Sequence, residues 1–138
     1  MIVADTGAVL ALLDKGDRHH AAIRALYEAR PHDWLLPWAI LPEVDYLIGT
    51  ELGARAQAAF LDDIAGGAFA VEYGRHADVE RARAITRTHR ALNIGLVDAI
   101  VIATAERLRA EAIATLDLRH FSVVKMIGSP RLLPRDAQ

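Results

Sequence analysis

The chain contains no cysteine. Disulfide frameworks, thiolate zinc sites and cysteine nucleophiles are therefore excluded. Lysine is almost as scarce, with only Lys15 and Lys125. Nearly all positive charge is thus arginine, whose forked guanidinium suits phosphate oxygens and carboxylates. No apolar run approaches the roughly 18 residues of a membrane span. No basic-then-apolar leader is visible either, because Asp5 interrupts the first apolar run at once. A cytoplasmic protein without a membrane partner is the expectation. There is no Gly-x-x-x-x-Gly-Lys loop, which argues against a nucleotide-binding switch or kinase. Gly7 stands where an Asp-x-Asp phosphatase needs its second acid, and no His-x-x-x-His pattern supports zinc. A net charge of −2 with a pI near 6.3 is not the footprint of a protein that grips long duplex DNA. Local arginine strips leave RNA or an acidic peptide open as partners.

What is present suits one domain. The 138 residues are 53% hydrophobic and 25% charged, and a chain of this size buries about 68% of its unfolded surface. Ile2 to Asp5, Trp34 to Leu36, Ala68 to Tyr73 and Ala112 to Thr115 read as short strands, with Val123-Val124 as a last one. Helices are predicted over 7–13 with Thr6 as N-cap, 19–30, 38–48 with Pro42 in or near its first turn, 52–64, 75–92 and 96–110. Gly49 is expected to end the third of these. The tail from about residue 128, with Pro130 and Pro134, is expected to be loosely ordered. Strands alternating with helices predict a three-layer α/β/α sandwich over residues 1–138, with a mostly parallel sheet of four to five short strands.

Four acids stand out: Asp5, Glu43, Asp98 and Asp117. Asp5 and Asp117 close short apolar runs, and Asp98 interrupts the stretch Ile94-Gly95-Leu96-Val97-Asp98-Ala99-Ile100. Burying an unpaired carboxylate costs several kcal/mol or more at order-of-magnitude level, so these acids need a partner. In open α/β sheets, ligands bind beyond the carboxyl ends of the strands. Asp5 and Asp117 fall on that rim, and Asp98 and Glu43 fall in the first turns of helices. Oxygen-only donors suit Mg²⁺ or Mn²⁺, which points to phosphodiester chemistry. Each acid also has a plainer reading: a helix cap for Asp5, an ordinary first-turn acid for Glu43, a solvent-facing helix-start acid for Asp98 and a turn residue for Asp117.

These residues carry a family resemblance. Ile2-Val3-Ala4-Asp5-Thr6-Gly7, Leu41-Pro42-Glu43-Val44, Gly95-Leu96-Val97-Asp98-Ala99 and the segment from Ile113 to Val124 resemble, in order and spacing, the PIN-domain family. Within it, the chain resembles the VapC-type ribonuclease toxins of toxin–antitoxin pairs. The likeness runs from Met1 to about Pro130. It implies an endoribonuclease dependent on Mg²⁺ or Mn²⁺. Asp5 and Asp98 would hold the metal most directly, with Glu43 and Asp117 completing the pocket directly or through water. Thr6 matches a position whose hydroxyl helps order that pocket. Leu118 departs from the pattern, where a basic residue commonly follows the fourth acid. The resemblance further implies a homodimer and inhibition by a small cognate antitoxin. A catalytically silent PIN-like module that binds RNA or protein is the alternative.

Arg83, Arg87 and Arg90 recur at helical spacing and are candidates to lead RNA phosphates to the pocket. A solvated charged face is the weightier reading of those three. Trp34 and Trp38 have the chemistry to stack on bases, against core or dimer roles. No histidine is singled out as catalytic.

Overall fold

The computed structural model describes residues 1–137. The chain runs β1 (Ile2–Ala4), α1 (Thr6–Leu13), α2 (His20–Ala29), β2 (Trp34–Pro37), α3 (Leu41–Glu51), α4 (Ala54–Ala65), β3 (Ala70–Glu72), α5 (His76–Thr88), α6 (Leu96–Arg107), β4 (Ala112–Ala114), α7 (Leu118–Phe121) and β5 (Arg131–Leu133). Every strand pairing is parallel, in the order β3-β2-β1-β4-β5. All residues of β1 and β4 are buried. That is why these strands read as unbroken apolar runs rather than alternating ones: helices cover both faces of the sheet. One core gathers Val3, Val9, Ile23, Trp34, Leu36, Val44, Ile102, Ile113 and Phe121.

The predicted sandwich is observed, with several local corrections. Asp5, not Thr6, caps α1: its carboxylate accepts the Gly7 N–H at 2.8 Å, and Thr6 is the first helical residue. An ionised carboxylate outcompetes the hydroxyl for the free N–H groups of a helix start. Gly49 does not end α3, which continues to Glu51. Gly49 lies against the Gln57 side chain, so its small size serves the close approach of α3 and α4. Pro42 sits in the first turn of α3, where its missing N–H is not needed.

The C-terminal reading is overturned. Val123-Val124 form no strand. The fifth strand is instead Arg131–Leu133, inside the tail expected to be loose, and it pairs with β4. Leu132 and Leu133 enter the core, the Thr115 N–H donates to the Leu133 carbonyl at 2.9 Å, and Asp136 accepts the Leu132 N–H at 2.7 Å. Two flanking prolines hid a strand that needs only three residues at a sheet edge.

The helices α5 and α6 form an antiparallel pair locked by charge at the end remote from Asp98. Arg107 grips the buried Asp78 through two hydrogen bonds of 2.8 and 3.0 Å and reaches Glu72 at 2.7 Å. Arg81 makes a similar fork to Glu106. The opposite end of the pair, with the 3₁₀ turn Arg90–Leu92 and the start of α6, is thereby held at the carboxyl rim of the sheet.

Candidate active site

From β1 the chain adds β2 and β3 on one side, then crosses back to place β4 and β5 on the other, so the order reverses between β1 and β4. This is the topological switch point of the sheet, where a crevice opens beyond the strand ends. Asp5 leaves β1 there, with its N–H bonded to the Ala114 carbonyl of β4 at 3.0 Å. Its carboxylate is buried with both oxygens engaged. One accepts the Gly7 N–H, and the other accepts the Thr115 hydroxyl at 2.5 Å. The Thr115 oxygen in turn accepts the Asp117 N–H at 3.0 Å. A single hydroxyl therefore connects the acids that end β1 and follow β4.

Asp117 caps the short helix α7, accepting the His120 N–H at 3.2 Å. One turn carries the His120 ring back over the site. Its Nδ1 stands 2.8 Å from Asp98 Oδ2 and 3.2 Å from Asp117 Oδ2. Asp98, in the first turn of α6, is half-buried. Glu43, in the first turn of α3, is exposed, and its charge still bears on Asp98.

The electrostatics follow from this crowding. Burial pushes the Asp5 carboxyl up to about 6, against the pull of Thr115 and Gly7, with the Asp98 and Asp117 charges adding to the rise. Asp98 is raised first by burial and then by Asp117 and Glu43, while the His120 hydrogen bond opposes the shift. His120 is raised chiefly by its bond to Asp98, with the charges of Asp117 and Asp98 and the Leu92 carbonyl contributing. Each group registers the negative charge of its neighbours. Asp98, Asp117 and His120 each offer an atom within 4.8 Å of the others. Carboxylates so placed can share a cation.

Thr6 lies at the same point, buried at the start of α1, and its hydroxyl has no hydrogen-bond partner. Arg83 and Arg87 are exposed along α5, and Arg90 is exposed in the 3₁₀ turn between α5 and α6. Of the two tryptophans, Trp34 is a core residue packed edge-on against Tyr27. Trp38 is half exposed and lies 5.2 Å from the Tyr73 ring. These two rings, with Val79, Leu96 and Ile100, line an apolar groove of about 450 Å³.

Sequence reasoning missed two members of the site. Thr115 reads simply as the end of a strand, and His120 as one of six scattered histidines. The available signal was spacing: Thr115, Asp117 and His120 follow one strand end within six residues.

The PIN domain family model matches residues 2–126. The chain belongs to the PIN-domain family. Ribonuclease VapC26 of Mycobacterium tuberculosis is 34% identical over 130 residues, spanning 94% of this chain and 96% of the relative. Among solved structures, VapC20 of Mycobacterium tuberculosis, described as a Sarcin-Ricin loop cleaving toxin, superposes with a TM-score of 0.79 at 22% identity. That match covers 94% of this chain and 99% of VapC20. A toxin–antitoxin complex from Klebsiella pneumoniae gives 0.69 at 20% identity, over 96% of this chain and the whole of the matched one. At these identities the structural likenesses establish the PIN fold. No helix among the described residues is long and apolar enough to cross a membrane.

Proposed function

We propose that this PIN-domain protein is an endoribonuclease dependent on Mg²⁺ or Mn²⁺, and the toxin of a VapBC-type pair. The observation that carries the reading is the convergence of carboxylates at the switch point: the charges of Asp98 and Asp117 raise Asp5, and those of Asp117 and Glu43 raise Asp98. The kinship with Ribonuclease VapC26 supports RNA as the substrate.

The residues fit a hard divalent ion. Their donors are mainly carboxylate oxygens, the Asp5 carboxyl is pushed up to about 6, and the buried Thr6 hydroxyl lacks a partner beside it. Asp5 and Asp98 would hold the ion, with Glu43 and Asp117 binding it directly or through water. Once bound, such an ion supplies charge neutralisation at the phosphate and a more acidic attacking water.

The chain's own groups do the rest. Thr115 fixes the Asp5 carboxylate through one oxygen, and the Gly7 N–H fixes the other, so Asp5 is oriented before substrate arrives. The exposed Glu43 is free to take a hydrogen bond from a water at the open side of the site. Arg90, and behind it Arg87 and Arg83, offer forked donors to phosphates of the incoming strand.

The reading also includes partners and location. A small cognate antitoxin is the expected inhibitor, in keeping with the toxin–antitoxin complex among the structural neighbours. A second copy of the chain is assigned to the exposed apolar face of Trp38, Tyr73, Val79 and Leu96, a patch of the kind that marks interfaces. A cytoplasmic location, where RNA is within reach, completes the reading.

Incubation of the purified chain with a panel of labelled RNAs and Mn²⁺, with and without chelator, tests the activity. Chelator-sensitive cleavage is expected. RNA binding without cleavage would favour the silent PIN-like module instead. Growth arrest on expression, relieved by a neighbouring small protein, tests the toxin role separately.

A further inference from the structure

We propose that His120 supplies a nitrogen ligand to the divalent-ion site, making its donor set carboxylates plus one imidazole. The inference rests on the metal-site reading above and adds a ligand that neither the four acids nor their spacing supplied.

The geometry of the ring carries it. His120 Nδ1 lies 2.8 Å from Asp98 Oδ2 and 3.2 Å from Asp117 Oδ2. Donors on adjacent vertices of an octahedral ion with bonds near 2.1 Å stand about 3 Å apart. The nitrogen already stands at that spacing from each of the two oxygens, and each pair of donor atoms lies within 4.8 Å. An ion seated among these three atoms would take them as three of its ligands.

The ring is also held as a ligating ring is held. Its backbone N–H is fixed by the Asp117 cap at 3.2 Å, so the turn that presents the imidazole is anchored to one of the other ligands. The side chain is only 17% exposed, so its position is set by packing.

A nitrogen donor has a chemical consequence. Imidazole is a poor ligand for Mg²⁺ and a good one for the first-row transition ions. The site should therefore discriminate for Mn²⁺ over Mg²⁺ more strongly than oxygen ligands alone would allow.

Pulsed electron paramagnetic resonance of Mn²⁺ added to the metal-free full chain tests this without any activity readout. The wild type is expected to show nitrogen coupling of a bound imidazole. His120→Gln, which keeps a polar side chain but no imidazole nitrogen, is expected to lose that coupling. The ratio of Mn²⁺ to Mg²⁺ affinity, from competition calorimetry, should fall roughly tenfold or more in this variant. If His120→Gln fails to fold, the wild-type spectrum and the milder His120→Asn decide the question. Bound Mn²⁺ without nitrogen coupling, or coupling that survives replacement of His120, overturns the proposal and leaves the carboxylate site standing. A wild type that binds no Mn²⁺ overturns both.

Discussion

The Thr115 hydroxyl donates to Asp5 Oδ2 at 2.5 Å and accepts the Asp117 N–H at 3.0 Å. One buried side chain thus sets the relative position of two acids that are 112 residues apart in the chain. Replacing Thr115 with the isosteric valine removes both hydrogen bonds and leaves Asp5 with only the Gly7 N–H. Thr115→Val should destabilise the protein by about 1–3 kcal/mol at neutral pH, measured by urea unfolding, and should raise the Asp5 pKa further, measured by NMR titration.

The raised Asp5 carboxyl fixes the sign of a pH effect. A group that ordinarily titrates at 3.8 and here titrates at about 6 binds its proton more tightly when folded. Below 3.8 it contributes no difference between folded and unfolded chains. As pH rises through the window from 3.8 to about 6, the unfolded chain loses the proton first, and folding is progressively penalised. Above that window the penalty is complete, at about 3 kcal/mol. His120, raised by Asp98, acts in the same direction: its stabilisation is full below its ordinary value and is lost as pH rises through its folded one. The metal-free protein should therefore lose melting temperature as pH rises from 3.8 to about 6 through Asp5, and again above the ordinary histidine value of 6.5 through His120. Asp5→Asn should be more stable than the wild type at about pH 7.5, and the difference should vanish near pH 4.

That penalty is what a bound cation relieves. Mn²⁺ or Mg²⁺ at about 100 times its dissociation constant should stabilise the wild type by about 2.7 kcal/mol. Thermal scans of Asp98→Asn should show little of this gain, because the remaining acids hold less charge around the site.

Much of the architecture was legible in the sequence. Buried parallel strands must be apolar throughout, so Ile2–Ala4 and Ala112–Ala114 stand out as unbroken apolar runs, and the acids that follow them mark the carboxyl rim. What was hidden depends on tertiary contact. The strand Arg131–Leu133 is specified by its pairing with β4 rather than by local propensity. Thr6 yields the cap of α1 to Asp5 because a charged acceptor is one residue away. His120 belongs to the site only because one turn of α7 folds its ring back onto Asp98 and Asp117, which a count of scattered histidines cannot reveal. Helical spacing alone does not separate a phosphate-binding arginine stripe from a solvated one, because Arg83, Arg87 and Arg90 are exposed in either case.

Charge at the other end of α5 and α6 should behave differently. Arg107→Met leaves Asp78, 3% exposed, without its principal partner. Breaking a buried pair on one side is expected to cost about 3–5 kcal/mol. Chemical denaturation should register that destabilisation, while cleavage per folded molecule stays at the wild-type level.

Arg87→Ala and Arg90→Ala probe the approach of RNA. Each should weaken binding of a non-cleaved RNA across sequences and lower the slope of log affinity against log salt by about 0.7 for each phosphate no longer neutralised. Unchanged slopes in both variants would return this stripe to the status of a solvated face.

The central claim is that the acids at the carboxyl rim hold a divalent ion that cuts RNA. The direct measurement is the rate of cleavage of a susceptible labelled RNA by the wild type and by folded Asp98→Asn, with Mn²⁺ and after its removal by chelator. The account predicts cleavage only by the metal-loaded protein, with Asp98→Asn slower than the wild type by roughly 10²-fold or more. Equal cleavage by the variant, or full activity in excess chelator, would contradict it.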